Sequence, residues 1–193
     1  MRKLKLQMQI TVDGFVAGPN GENDWVFASP KKDPEALQKN INFSAELAAG
    51  CDTLLLGRKL ASSGFCGYWE NVADNQPENP WNPLAKLIAD HRKIAFSSTE
   101  TSLPGNKLKV ENGDLATVVN ELKKQQGKDI LVYGGVGFVR SLVDLNLIDE
   151  YYFVINPIAL GSGLSIFKEK KLLELESSIT FSNGKILNKY LPA

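Results

Sequence analysis

Three short stretches place residues that can hold an anion directly after apolar runs. "DTLLLGRK" ends in Gly57, Arg58 and Lys59, and "KIAFSS" ends in Ser97 and Ser98. "DILVYGGVGF" carries Gly134, Gly135, Val136, Gly137 and Phe138 into a helical pattern. A glycine lets backbone come close to a ligand, because no Cβ intrudes. A helix starting there presents unpaired N–H groups and the positive end of its dipole, which together suit a phosphate. Arg58 and Lys59 add formal charge, and an arginine can fork onto phosphate oxygens. The serine hydroxyls offer donors to a further anionic group. A dinucleotide whose pyrophosphate is accompanied by a 2′-phosphate would use all three sites. Plainer readings stand beside these. The glycines can serve only a turn, the Arg-Lys pair can be a solvated face, and "GGVG" is not the GxGxxG fingerprint.

Other candidates are few. Asp13 is the acid nearest the first turn, where it is either a proton donor or a turn-former before Gly14. Trp25 either walls a flat heterocycle or is packing. Tyr68, Trp69 and Trp81 either cover a pocket or only the core. His91 is the single histidine, and Cys51 and Cys66 lack metal-ligand spacing, so neither a zinc site nor a Ser-His-Asp triad is expected. With no disulfide pattern, a reduced, cytoplasmic setting is expected. Lys+Arg and Asp+Glu are both 22, which points away from nucleic acid and membrane surfaces as partners. No apolar run approaches the ~20 residues of a membrane span.

These residues need elements to position them. Leu4, Leu6, Met8 and Ile10 alternate with Lys3, Lys5, Gln7 and Gln9, the period of a strand with one buried face. Asp33-Pro34-Glu35 reads as an N-cap, a proline at the first helical position and an acid in the first turn. Leu37, Ile41, Ala45 and Ala48 continue that helix to Gly50. "DTLLLG", "KIAFSS" and "DILVY" suit strands buried on both faces. Residues 60–80 look loop-like, "NPLAKLIADH" is a short helix, Asp114 caps a helix through Gln126, and 137–147 is another helix. Asp149-Glu150 marks a solvated corner before the strand "EYYFVINPIAL". Asn183-Gly184 between two alternating runs is a hairpin signal. The 193 residues therefore predict a single α/β domain over 1–193. Its central sheet is mostly parallel, with helices on both faces and a C-terminal antiparallel hairpin.

The motifs "TVDGFVAG", "DTLLLGRKL", "VYGGVGFVRSLVDLNLIDEYYFVINPIALGSGLSIF" and "FSNGKILNKY" resemble the dihydrofolate-reductase-like superfamily. They are similar in particular to the branch built like the RibD C-terminal domain, the reductase half of the bifunctional riboflavin-biosynthesis enzyme. The resemblance implies an NADPH-dependent reductase acting on a small-molecule substrate. Gly57, Arg58, Lys59 and Gly134 to Phe138 would hold the cofactor phosphates, and Ser97 and Ser98 would lie near the 2′-phosphate. Thr11, Val16, Ala17 and Gly18 would lie against the nicotinamide. Trp25 and Tyr133 would face the substrate, and a homodimer is implied, with "YYFVI" and the terminal hairpin as its surface. The branch usually has a lysine where this chain has Gln7 and an acid where it has Tyr133, both associated with the ribose-phosphate substrate. Losing both counts against that substrate more than against NADPH, and a 5-amino-6-(5-phosphoribosylamino)uracil reductase is the first expectation on the overall resemblance alone. A pterin reductase, or an NADPH-binding protein without turnover, is the alternative.

Overall fold

The computed structural model describes residues 1–28 and 31–193. Eight strands form one sheet in the order β4-β3-β2-β5-β1-β6-β8-β7. They are β1 (Leu4–Thr11), β2 (Cys51–Gly57), β3 (Arg92–Phe96), β4 (Leu108–Glu111), β5 (Asp129–Gly134), β6 (Glu150–Asn156), β7 (Leu173–Thr180) and β8 (Ile186–Pro192). The first six run parallel, and β8 pairs antiparallel with both β6 and β7. The mostly parallel sheet with its terminal hairpin is thus as expected. No helix among the described residues is long and apolar enough to cross a membrane.

Helices cover both faces. On one side α1 (Pro34–Ala49) and α4 (Asn82–Asp90) set Leu47, Ala48, Leu84 and Ile88 against Leu54, Leu131 and Val154. On the other, α5 (Leu115–Lys124) and α6 (Val136–Asp144) set Val119, Leu122, Val139 and Leu142 against Leu55, Ile130 and Val132. Local signals work where they are expected to. Asp33 and Asp114 cap α1 and α5, accepting from Ala36 N (3.0 Å) and Thr117 N (2.9 Å). The Asn183-Gly184 turn closes the hairpin, with Phe181 N donating to Lys185 O at 2.8 Å.

Several expectations are corrected. Strand β1 has no solvent face, because it lies between β5 and β6 and under α1. Its polar residue Gln7 is consequently only 9% exposed. Residues 60–80 are not a loop but largely two helices, α2 (Arg58–Ser62) and α3 (Phe65–Asn75). Glu70, Asn71 and Asp74 on the outer side of α3 hide its buried Cys66 and Val72 from a periodicity count. Strand β4 escapes notice because it is four residues long and lies at an edge. Strand β6 stops at Asn156, since Pro157 has no N–H for the ladder.

Asp149-Glu150 is not a solvated corner. Glu150 is buried and accepts from Lys3 Nζ and Tyr152 OH, both at 2.6 Å. Burial would raise its carboxyl, but those hydrogen bonds and the charges of Lys189 and Lys5 hold it below the usual carboxylate range. "YYFVI" is no surface either, because Tyr151 and Val154 are fully buried. The exposed part of that expected surface is β7, the outer strand of the hairpin.

Candidate functional site

The carboxyl ends of the parallel strands meet along one edge, the usual place for ligands in an open α/β sheet. There the end of β2 touches the turn between β5 and α6. A Cβ built on Gly135 would lie 3.7 Å from Gly57 Cα, and one on Gly57 would lie 2.7 Å from Phe138 Cβ. Gly57 therefore lets α6 sit against β2. Phe138 also stacks on Phe96 at 5.3 Å and 23°, tying α6 to the end of β3. Gly134 and Gly135 take φ of +121° and +66°, a reversal that side chains resist.

The first turn of α6 is open. Gly137 is exposed, and a Cβ there would meet nothing within 4 Å. Val139 N bonds Gly135 O at 2.9 Å, which leaves the N–H groups of Val136, Gly137 and Phe138 without intrahelical acceptors. Arg58 and Lys59 open α2 beside this turn, and neither pairs with a carboxylate among the described residues. Ser97 Oγ accepts from Thr99 N (3.1 Å) and Glu100 N (2.8 Å), so its oxygen holds the turn while its proton remains available. Ser98 is exposed next to it. An N-terminal dipole, three free N–H groups, two unpaired cations and a serine turn together suit a phosphate-bearing ligand.

The loop after β1 lies against the segment following β6. Val16 N donates to Leu164 O (2.9 Å), and Leu164 N donates to Ala17 O (2.8 Å). Gly18 N closes the turn on Glu22 O at 2.8 Å. Thr11 accepts from Phe15 N at 2.9 Å and gives its hydroxyl proton to Asp13. Asp13 also accepts from Leu160 N (2.9 Å) and Gly161 N (2.7 Å). These bonds, the Thr11 hydroxyl foremost, hold the Asp13 carboxyl below its usual range. Asp13 is ionised at neutral pH and its lone pairs staple the loop, which suits an anchor better than a proton donor.

Beside this loop lies a cleft of about 710 Å³. Trp69, Trp81 and Tyr133 form aromatic walls, and Val16 and Phe27 reach its rim. Phe65 packs on Tyr133 at 5.6 Å, and Trp69 meets Trp81 edge-on at 6.4 Å. Tyr68 lines the cleft as well. Burial pushes the Tyr133 phenol up, so it stays protonated and can donate. Trp25 is not brought to this wall. It is 5% exposed, its indole N–H has no partner among the described residues, and the neighbours Val26 and Phe27 line the cleft instead.

Polar residues that periodicity passes over complete the cleft. Ser44 donates its proton to Asn40 O at 3.0 Å, so it can only accept from Gln7 Nε2, at 2.8 Å. That relay fixes the Gln7 amide and leaves Gln7 Oε1 without a donor among the described residues. Asn40 Oδ1 is equally buried and unpartnered. Gln7 and Asn40 both line the cleft, so two unpartnered acceptors lie just behind its surface, beside the aromatic walls. The signal in the sequence is polar residues at positions that a central strand and a covering helix must bury.

A model of the RibD C-terminal domain family matches residues 2–187. The uncharacterised protein YyaP of Bacillus subtilis (strain 168) is 31% identical over 188 residues, covering 96% of this chain and 92% of that protein. Among solved structures, RibD of Acinetobacter baumannii superposes with a TM-score of 0.70 at 17% identity, covering all of this chain and 58% of that one. Dihydrofolate reductase from Enterococcus faecalis, complexed with NADP(H), superposes at 0.57 with 13% identity, over 98% of this chain and 96% of that one. From the match across nearly its whole length and from its sheet order, this chain belongs to the RibD C-terminal domain family and has the dihydrofolate-reductase-like fold.

Proposed function

We propose that this protein is an NADPH-dependent reductase that delivers hydride to a small planar heterocycle held in the cleft. The supporting observation is a continuity of chain: Tyr133 faces the cleft, and the next residue, Gly134, begins the glycine turn at α6. A ligand lying across that junction would have its phosphates at α6 and its flat end at the aromatic walls. Val136, Gly137 and Phe138 would hold the pyrophosphate through backbone N–H groups. Arg58, Lys59, Ser97 and Ser98 would address the 2′-phosphate, and Thr11, Val16, Ala17 and Gly18 would border the nicotinamide. When bound, the dihydronicotinamide supplies a hydride. Tyr133 and the amides of Gln7 and Asn40, which line the cleft, would orient the substrate, and Asp13 would keep the loop in place. Water reaching the cleft would supply the proton that the substrate takes up together with the hydride. An aminouracil of the riboflavin pathway is the substrate class nearest the family, and a pterin is the second.

The assignment is tested with both nicotinamide cofactors. NADPH at 100 times its Kd should stabilise the fold by about 2.7 kcal/mol. That corresponds to a Tm rise of roughly 5–10 °C for a chain of this size. NADH should give a clearly smaller rise. No shift with either would remove the cofactor, and a larger shift with NADH would remove the 2′-phosphate role of Arg58 and Ser97.

A two-fold dimer belongs to the same reading. Strand β7 is an open edge, with Leu175 53% and Ile179 50% exposed and Leu172 just before it at 68%. Light scattering at micromolar concentration should give about twice the 21.2 kDa chain mass, and the single-chain mass would contradict it. Cys51 and Cys66 are free and buried, which fits a reducing cytoplasm as the place of action.

A further inference from the structure

Lys185 is a buried cation without a counter-charge. It sits one residue past the hairpin turn and lines the cleft, and it is 9% exposed. An ammonium has three donors. Its Nζ has one acceptor, Val26 O at 3.0 Å, and no carboxylate pairs with it among the described residues. Burial alone pushes its pKa down.

The other buried lysines are treated differently by the fold. Lys93 donates to three carbonyls, Ala89 O (2.8 Å), His91 O (3.2 Å) and Asn106 O (3.1 Å). Lys123 reaches Leu147 O and the Asp149 carboxylate, both at 2.7 Å. Both are satisfied within the protein. Among the described residues the one carboxylate lining the cleft is Asp33, which is committed to capping α1, to hydrogen bonding with Ser182 and to Lys31 at 4.0 Å. Lys31 and Lys32 also line the cleft, so its charge is positive. A buried charge left unpaired is costly, and a ligand that carries the opposite charge relieves that cost.

We infer that Lys185 is the buried counter-charge for an oxyanion on the substrate, a carboxylate or a phosphate. This rests on the reading of the cleft as the substrate site. It adds to that reading the residue that selects the substrate's anionic group, delivered from the C-terminal hairpin. Gln7 and Asn40 line the same cleft, so their amides would border the ring of the molecule whose oxyanion Lys185 holds.

Uracil, orotate (uracil bearing a ring carboxylate) and uridine 5′-phosphate are suitable probes, followed by tryptophan fluorescence at constant ionic strength without cofactor. At least one anionic probe should bind wild type ten times more tightly than uracil. Which of the two gains shows whether the site takes a carboxylate or a phosphate. Lys185→Met should abolish the advantage. Lys185→Arg should retain much of it. Replacing a buried charge by an apolar side chain of similar length often leaves folding intact. Melting curves verify this, and Lys185→Gln is the second neutral replacement. If neither anion outbinds uracil, or if the advantage survives in a folded neutral variant, the inference is overturned. The NADPH melting shift is measured separately. A normal shift with no anion advantage defeats only the role of Lys185, and an anion advantage with no NADPH shift defeats only the reductase reading.

Discussion

Gly137→Val should leave the protein folded and weaken NADPH binding more than tenfold, above about 1.4 kcal/mol. The position separates two roles that glycines mix elsewhere in this turn. A Cβ on Gly137 meets nothing within 4 Å, and its backbone is not left-handed. Valine is also no poorer than glycine as a helix residue. Stability should therefore change by less than about 0.5 kcal/mol, as at other surface positions. The space the valine fills is the mouth of α6, where free N–H groups point outward. A phosphate held there would be displaced. Gly135→Val is a poorer probe, because φ of +66° and the nearby Gly57 Cα make any side chain there a folding problem first. Titration calorimetry of wild type and Gly137→Val reads the effect. Unchanged affinity in the folded variant would mean that the first turn of α6 does not cradle the cofactor.

Gly57→Ala should have the opposite profile and cost about 1–3 kcal/mol of stability, the usual range for overpacking. Gly57 has an extended backbone, φ −75° and ψ 149°, which alanine adopts without strain. The problem is the added methyl, 2.7 Å from Phe138 Cβ and 3.3 Å from its Cγ. Those atoms are the stem of a ring stacked on Phe96 and cannot swing aside, so α6 must move away from β2. Urea unfolding should show the loss, and the midpoint of thermal unfolding should fall by roughly 2–12 °C. Wild-type stability would mean that the contact yields easily and that Gly57 is free for a ligand after all.

These two glycines show what could and could not be read from the chain. Local chemistry was legible. Asp33-Pro34 and Asp114 start helices, and Asn183-Gly184 turns a hairpin, because each signal depends on its immediate neighbours. The repeated pattern of an apolar run followed by glycine or serine correctly marked strands β2, β3 and β5. What depends on partners far away in sequence was not legible. Gly57 looked like a residue freed for a ligand, yet Phe138 occupies the space where its side chain would be. Strand β1 looked half-exposed until β5, β6 and α1 enclosed it. Asn40 and Ser44 read as ordinary helix positions, and only the fold brings them to Gln7. Trp25 stood out as an aromatic for the substrate, but the 3₁₀ turn Asp24–Phe27 buries it and turns Val26 and Phe27 to the cleft.

The central claim is that one ligand spans the glycine turn and the aromatic cleft. A crystal structure of the protein soaked with NADPH tests it most directly. The account predicts pyrophosphate density within hydrogen-bond distance of the backbone N–H groups of Val136, Gly137 and Phe138. It further predicts the 2′-phosphate near Arg58 and Ser97, and the nicotinamide between the Thr11–Gly18 loop and the cleft. Density for NADPH elsewhere on the molecule, or none at saturating concentration with the α6 turn free of lattice contacts, would contradict it.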